Sequence, residues 1–314
     1  MIHFIVNKSS GSGNGEKVWR QTELILKGRN VSYQAYFTEY EGHASQIAAD
    51  LSGPELTGEQ TVIILGGDGS LNEVINGIDD FEKIRIGLIP TGSGNDFIRG
   101  LGLPKKPEKA IYNILNRIQE ETESGQDKSR QIDLGQVTYL GGKRYFAISS
   151  GAGLDALVCK KTMESRLKKL LNRLHLGKLT YLLLTIQSLF TMESARTVIM
   201  TEDGKKRYSK MIFSAAMNLP FEGGGVPMAP KARPDDGSLT LSTAAGVPRL
   251  LTFFLLPFLV AGKHERIPGF HLTDFRKCKI RSNVPLVIHA DGEYLGEFKE
   301  LTYRCLPGKL KLIG

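Results

Sequence analysis

Over residues 2–89, short apolar β-branched runs alternate with segments of helical periodicity, and this alternation restricts the possible folds more than any other feature. Ile2–Val6, Val31–Thr38, Thr61–Leu65 and Ile84–Ile89 read as strands, and Glu16–Leu26, His43–Leu51 and Leu71–Ile78 as helices. Unbroken apolar runs of this length suit strands covered on both faces, while spacings of three and four suit helices with one buried stripe. Parallel neighbours need a crossover connection, so the alternation implies a parallel sheet with helices packed on it. Each strand opens into a polar or glycine-rich loop: NKSSGSGNG (7–15), TEYEG (38–42), GGDGS (66–70) and PTGSGND (90–96). Ligands of open α/β sheets bind beyond the carboxyl ends of the strands, so the four loops are expected to meet at one crevice.

The GGDGS stretch shows what that crevice could hold. Glycines allow positive φ and close backbone approach, and a helix beginning there aims free N–H groups and a positive dipole end at an anion. A carboxylate beside a phosphate calls for a bridging cation, so Asp68 implies Mg²⁺ or a structural hydrogen-bonding role. The alternative is a tight Asp68-Gly69 turn with Ser70 as helix N-cap. Companion loops at Ser9–Gly13 and Thr91–Asp96 favour the phosphate seat. Neither GxxxxGK[ST] nor a dinucleotide-type GxGxxG follows the first strand, which disfavours P-loop kinases and dehydrogenases.

A helical stretch from Pro107 to Gln119 leads into EETESGQDKSRQ (120–131), which has no apolar residue. This is a domain boundary: residues 1–128 form a nucleotide-binding α/β domain and 129–305 a second domain, with the tail 306–314 returning to the first. Beyond the boundary the pattern is of hairpins, at Gly141-Gly142 and at Asp203-Gly204, followed by strands near Ser238–Ser242, Cys278–Arg281, Pro285–Ala290 and Leu301–Cys305. Helical inserts fall near 154–174 and 177–190. The 314 residues suit two domains.

The net charge of +8 favours polyanionic partners, but no basic motif interleaved with aromatics points to nucleic acid. Residues 160–178 carry seven Lys or Arg and one Glu, with Lys160, Lys161, Lys168 and Lys169 as candidate contacts to anionic lipid headgroups. A solvated basic helix face is the other reading. Leu250–Ala261 is interrupted by Pro257 and falls short of the about twenty apolar residues a bilayer needs, so a buried helix or strand pair is expected. Three well-separated cysteines and an N-terminus that enters a strand at once suggest a reducing cytoplasm. The six histidines are scattered, and none receives a ligand role.

GGDGSLNEV, IPTGSGNDFIRGLGLP, GGGVPMAPKARPDDGSLTL and HADGEYLG resemble, in order and spacing, the bacterial diacylglycerol kinase catalytic-domain family, soluble lipid kinases related to sphingosine kinases and NAD kinases. The resemblance spans nearly the whole chain. It implies an α/β N-terminal domain of the NAD kinase and phosphofructokinase kind with a parallel sheet, and a C-terminal, mainly antiparallel β-sandwich that receives the lipid. ATP and Mg²⁺ are the implied cofactors. Nucleotide contacts would map to Asn7, Thr38, Gly67, Asp68, Gly69, Ser70, Asn72, Glu73, Ser93 and Asn95, where Ser70 and Ser93 replace the family's more frequent Thr.

The same resemblance makes Glu293 the catalytic base and puts Asp68 on the metal–nucleotide side, with Asp96 and Asp133 as further cleft acids. From the residues alone, Asp291-Gly292 is a hairpin turn with Glu293 solvated, Asp96 is an N-cap, and Asp133 belongs to a turn at a strand start. A structural Mg²⁺ is implied at Asp236 with the backbone carbonyls of Arg233 and Ser238; a metal-free Asp-Gly turn is the alternative. The expected activity is phosphorylation of a lipid hydroxyl, with diacylglycerol as acceptor, at the inner face of the cell membrane. A homodimer is compatible with the sequence. An NAD kinase or a non-catalytic nucleotide-binding regulator at the membrane are the rival readings.

Overall fold

The computed structural model describes all residues except 93, 165–186, 190 and 194. Four strands, β1 (Ile2–Val6), β2 (Tyr33–Phe37), β3 (Gln60–Gly66) and β4 (Ile84–Pro90), form a parallel sheet in the order β4-β3-β1-β2. Both faces are buried, and the period of two along a strand sorts the side chains. Phe4, Val6, Ile63 and Leu65 pack with Trp19 of helix α1 (Ser10–Gly28), while Ile5, Val62 and Ile64 pack with Ala48 of α2 (His43–Ser52) and Leu71 and Ile75 of α3 (Asp68–Gly77). Helix α4 (Asp96–Gly100) is one short turn after the fourth loop, and α5 (Pro107–Ser124) closes this part of the chain with Ile111 and Ile114 against the Phe4 face.

The remaining strands are β5 (Arg130–Tyr139), β6 (Gly142–Phe146), β7 (Ser149–Gly153), β8 (Ala195–Thr201), β9 (Gly204–Met217), β10 (Leu239–Ala245), β11 (Phe270–Phe275), β12 (Lys277–Ala290) and β13 (Glu293–Leu312). Their mutual pairings are antiparallel. β7 and β8 each pair with both β9 and β12, so these four strands close on themselves around a core containing Phe146, Ile288 and Tyr303. β13 spans both regions. Its start pairs with β12, and its end runs parallel to β4, with Lys311 opposite Arg85 and Ile313 N–H donating to Ile86 O at 2.8 Å. The two regions therefore share one hydrogen-bonded sheet.

Several boundaries differ from the sequence reading. The segments expected at Cys278–Arg281 and Pro285–Ala290 are one strand with a register shift between Arg281 and Leu286, and β11 was not foreseen because its alternation is short and half polar. Helix α6 (Leu154–Glu164) opens the first expected insert, and most of the remainder lies outside the described residues. The apolar run near 250 is neither a buried helix nor a strand pair. It is α7 (Arg249–Val260), with Leu251, Phe254, Phe258 and Val260 exposed. No helix among the described residues is long and apolar enough to cross a membrane.

Candidate active site

The loops after β1, β3 and β4 interlock. Asn7 Oδ1 accepts from Ser9 N–H at 3.1 Å and its Nδ2 donates to Ser70 Oγ at 3.2 Å, joining the first loop to GGDGS. Ser10 Oγ lies 2.5 Å from Thr91 Oγ1, and a Cβ on Gly11 would stand 2.0 Å from Thr91 O, so no larger residue fits between the first and fourth loops. Gly67 faces Gly92 across a similar approach, where an added Cβ would be 3.2 Å from Gly92 Cα. Gly11, Ser12 and Gly13 have φ of 59°, 60° and 92°, a left-handed run closed by the Gly13 N–H donating to Ser9 O at 3.1 Å. Helix α3 begins at Asp68 with Gly67 as N-cap and no side-chain cap bond, so Ser70 is not the cap and the first-turn amides are left for an anion. Thr38, after β2, sits at the same edge with its N–H on Val6 O at 3.0 Å. Asn95 donates to Gly92 O at 2.7 Å, and its buried Oδ1 has no hydrogen-bond partner among the described residues. Ser93 lies outside the described residues.

The acids take distinct positions. Asp68 Oδ2 accepts from Asp96 N–H at 2.9 Å and Oδ1 from Phe97 N–H at 3.3 Å, tying GGDGS to α4. Burial, with the Asp96 and Asp291 charges adding to it, pushes the Asp68 carboxyl up to about 6. Asp96 is not an N-cap, since Asn95 holds that place. Its Oδ2 accepts from Gly224 N–H at 2.7 Å across the domains and its Oδ1 pairs with Arg99, and burial raises its pKa. Asp133 accepts from Gly237 N–H and Gly308 N–H, each at 2.7 Å, and so joins the loop before β10 to β13. In that loop Asp236 Oδ1 accepts from Ser238 N–H and Oγ at 3.0 and 2.8 Å, and Arg233 has its side chain exposed beside Asp235.

Glu293 begins β13 directly after the two-residue turn Asp291-Gly292, whose φ values of 48° and 89° suit a type I′ hairpin. It is half-buried rather than solvated. Its Oε1 faces Gly69, where an added Cβ would lie 3.6 Å away, so the carboxylate points across the cleft at the GGDGS loop. Burial and the nearby Glu41, Glu73 and Asp291 charges raise its pKa, against the pull of Arg144.

Two residues expected at the nucleotide do other work. Asn72 is buried. It donates to Asp291 Oδ2 at 3.0 Å and accepts from Arg144 at 2.8 Å, so its side chain joins the two domains and offers nothing to a ligand. Glu73 Oε2 accepts from Ala44 N–H at 3.3 Å and anchors the first turn of α2. Among the membrane candidates, Lys160 pairs with Glu297 at 3.0 Å and lies over the Tyr294 ring, and Lys161 donates to Thr191 Oγ1 at 3.2 Å. Lys168 and Lys169 lie outside the described residues.

Asp291 carries more than a turn. Its carboxylate accepts from Ala147, Ile148 and Ser149 N–H at 2.9, 2.8 and 3.0 Å as well as from Asn72, and the turn reading gave no hint of these distant amides. Asp155, Glu222 and His289 also meet, although their separation along the chain carries no motif.

Residues 1–126 match the family model of the diacylglycerol kinase catalytic domain, and residues 148–314 match that of the YegS C-terminal NAD kinase beta sandwich-like domain. The chain is 31% identical over 296 residues to YtlR of Bacillus subtilis (strain 168), a candidate lipid kinase, covering 93% of each chain. A crystal structure of a candidate diacylglycerol kinase from Bacillus anthracis str. Sterne superposes with a TM-score of 0.73 at 19% identity, over 99% of this chain and 96% of that one. An NAD kinase from Archaeoglobus fulgidus, solved in complex with ATP, reaches only 0.53 at 11% identity over 100% and 94% of the two chains, so it shares the fold alone. Two matched domains in this order, with a relative at 31% identity along nearly the full length, make the chain a member of the diacylglycerol kinase-like family of lipid kinases.

Proposed function

We propose that the chain transfers the γ-phosphoryl group of ATP to the hydroxyl of diacylglycerol, giving phosphatidate and ADP. The observation that carries this reading is the placement of Glu293, held by a rigid turn in one domain with its carboxylate facing Gly69 of the phosphate loop in the other. Glu293 takes the hydroxyl proton as the oxygen attacks the γ-phosphorus. The uncapped α3 N-terminus holds the phosphates through its backbone N–H groups, with the Gly11-Ser12 backbone of the first loop beside it. Asp68 fits the role of an oxygen donor to Mg²⁺ because each of its oxygens accepts one amide hydrogen bond and keeps a lone pair. When bound, Mg²⁺ supplies charge neutralisation on the phosphates. The exposed apolar side chains of α7 are our candidate for contact with the acyl region of the bilayer, in place of the engaged Lys160 and Lys161.

The test is transfer of label from [γ-³²P]ATP to diacylglycerol in mixed micelles with Mg²⁺, with NAD as control. Label in phosphatidate and none on NAD is expected; ATP binding with no labelled diacylglycerol would overturn the reading.

We also assign a second Mg²⁺ to the loop at Asp236, with the carbonyls of Arg233 and Ser238. Asp236 Oδ2 accepts no hydrogen bond among the described residues, and Asp133 holds the loop in place through Gly237. Mg²⁺ is expected to raise the melting midpoint by about 2–4 °C, an effect that EDTA reverses and Asp236→Ala removes. Calorimetric melts with and without the ion check this, and an equal rise in Asp236→Ala would place the ion elsewhere.

A further inference from the structure

Phosphoryl transfer gathers negative charge around the γ-phosphorus, yet the loops that would hold the nucleotide carry acids and almost no cations. TEYEG, GGDGS and PTGSGND contain no Lys or Arg, and NKSSGSGNG contains Lys8 alone, which lies over the Phe37 ring at 4.0 Å. Arg99 of α4 is paired with Asp96. A further cation reaches the cleft from the second domain, the half-buried Arg144 of β6. It is held there without being neutralised. Its Nη2 donates to Asn72 Oδ1 at 2.8 Å, and no carboxylate pairs with it among the described residues. Its Nε is buried and has no hydrogen-bond partner among those residues.

Asn72 is fixed in this task. Its Nδ2 donates to Asp291 Oδ2 at 3.0 Å and to Tyr145 O at 3.3 Å, which leaves Oδ1 to face the guanidinium. A half-buried guanidinium with one neutral partner is costly unless an anion completes its fork. Its place suits such an anion. Asn72 stands three residues beyond Gly69 on α3, so the two lie on one face of the helix, roughly 4.5 Å apart along the axis. Glu293 faces Gly69, and Arg144 meets Asn72. Of the charges that act most on the Glu293 carboxyl, Glu41, Glu73 and Asp291 are acids and Arg144 is the cation. The proton acceptor and the guanidinium therefore approach the same stretch of α3.

We propose that Arg144 is the second domain's cation for the transfer step, its guanidinium donating N–H groups to the oxygens of the γ-phosphoryl group in flight. As the lipid oxygen bonds to the γ-phosphorus and the bond to the ADP oxygen breaks, the hydroxyl proton goes to Glu293 and Arg144 keeps all of its own. A guanidinium stays charged throughout the working pH range, and its planar fork matches two phosphoryl oxygens. Asn72 is the positioning residue that aims it. Resting on the lipid-kinase reading, this role belongs to catalysis and not to nucleotide binding: ADP, which lacks the γ-phosphoryl group, gains nothing from Arg144.

Arg144→Gln tests this, since it keeps a donor for Asn72 and removes the charge. Its kcat for label transfer is expected to fall about 10²–10³-fold, and Arg144→Lys, which keeps the charge without the fork, should retain more of the rate. Titration calorimetry of the full chain isolates the step from any lipid. ADP with Mg²⁺ and aluminium fluoride, a mimic of the γ-phosphoryl group in flight, should bind at least about tenfold more tightly than ADP with Mg²⁺ alone. Arg144→Gln should lose that margin and bind ADP as the wild type does. Should it fail to fold, Arg144→Met carries the same comparison. A wild type without the margin, a variant that keeps it, or ADP binding that weakens in step would overturn the proposal, the last because the bond to Asn72 would then be the whole role of Arg144. A margin lost in Arg144→Gln with no labelled diacylglycerol from the wild type would sink only the proposed function. Diacylglycerol labelled equally fast by Arg144→Gln would sink only the role of Arg144.

Discussion

Glu293→Gln is expected to cut phosphoryl transfer to diacylglycerol by about 10²–10⁴-fold while leaving ATP binding intact. The substitution keeps the size of the side chain and removes the basic oxygen. Its position does not depend on that oxygen, since the Asp291-Gly292 turn and the Ala290–Glu293 pairing set it. The nucleotide side of the cleft is built from other loops, so steady-state kinetics should show a fall in kcat with little change in the KM for ATP. The pH profile follows from the sign of the shift. Glu293 has a raised pKa, and a base works only when ionised, so the rate should fall as pH drops through that raised value, well before an unperturbed glutamate would protonate. Asp68, up at about 6, loses its charge in the same descent. Both raised values mean that the folded state holds these protons more tightly than the unfolded chain, so their contribution to stability is greatest at low pH and is lost as pH rises through the folded pKa. Activity and this part of stability should therefore move in opposite directions between about pH 4 and 7. A Glu293→Gln enzyme that retained most of its transfer rate would remove Glu293 from the chemistry.

Asp291→Ala is expected to cost about 3–5 kcal/mol of stability, the largest loss foreseen for a single polar substitution in this chain. Its carboxylate answers three consecutive backbone N–H groups, of Ala147, Ile148 and Ser149, and the Asn72 amide from the other domain. Removing it leaves several buried donors without an acceptor at once, and unmade hydrogen bonds cost more than made ones contribute. Asp291→Asn should recover only part of the loss, because its NH₂ would face groups that are themselves donors. Asn72→Ala, which removes one of the four bonds, should cost less, about 1–3 kcal/mol. Urea unfolding followed by circular dichroism gives the comparison through the shift in midpoint. A loss below about 1 kcal/mol for Asp291→Ala would show that water replaces the carboxylate at this junction.

The contrast between Asp291 and Glu293 shows how far the residues alone could be read. Asp-Gly between two apolar runs is a hairpin signal because its meaning lies in two local φ values, and the turn stands where it was expected. That the Asp291 side chain would be engaged by amides near residue 148 has no local trace. Asn72 illustrates the same limit in reverse: it lies in the phosphate-loop motif, yet the β5–β6 hairpin supplies Tyr145 O and Arg144 and draws its amide away from the cleft. The α7 stretch was expected inside because of its composition, whereas its place at the rim of an apolar cavity leaves one side outward.

The strand and helix alternation, the glycine loops at the strand ends and the Asp-Gly turn were legible in the chain because each rests on periodicity or backbone dihedrals within a few residues. Other features came from pairings between segments far apart in sequence. These include the interdomain bonds of Asp96 and Asp291 and the meeting of Asp155, Glu222 and His289. Which carboxylate is buried, and which donor reaches it, depends on sheet order and register, and those are settled by the burial of all the strands together rather than by the residues on either side.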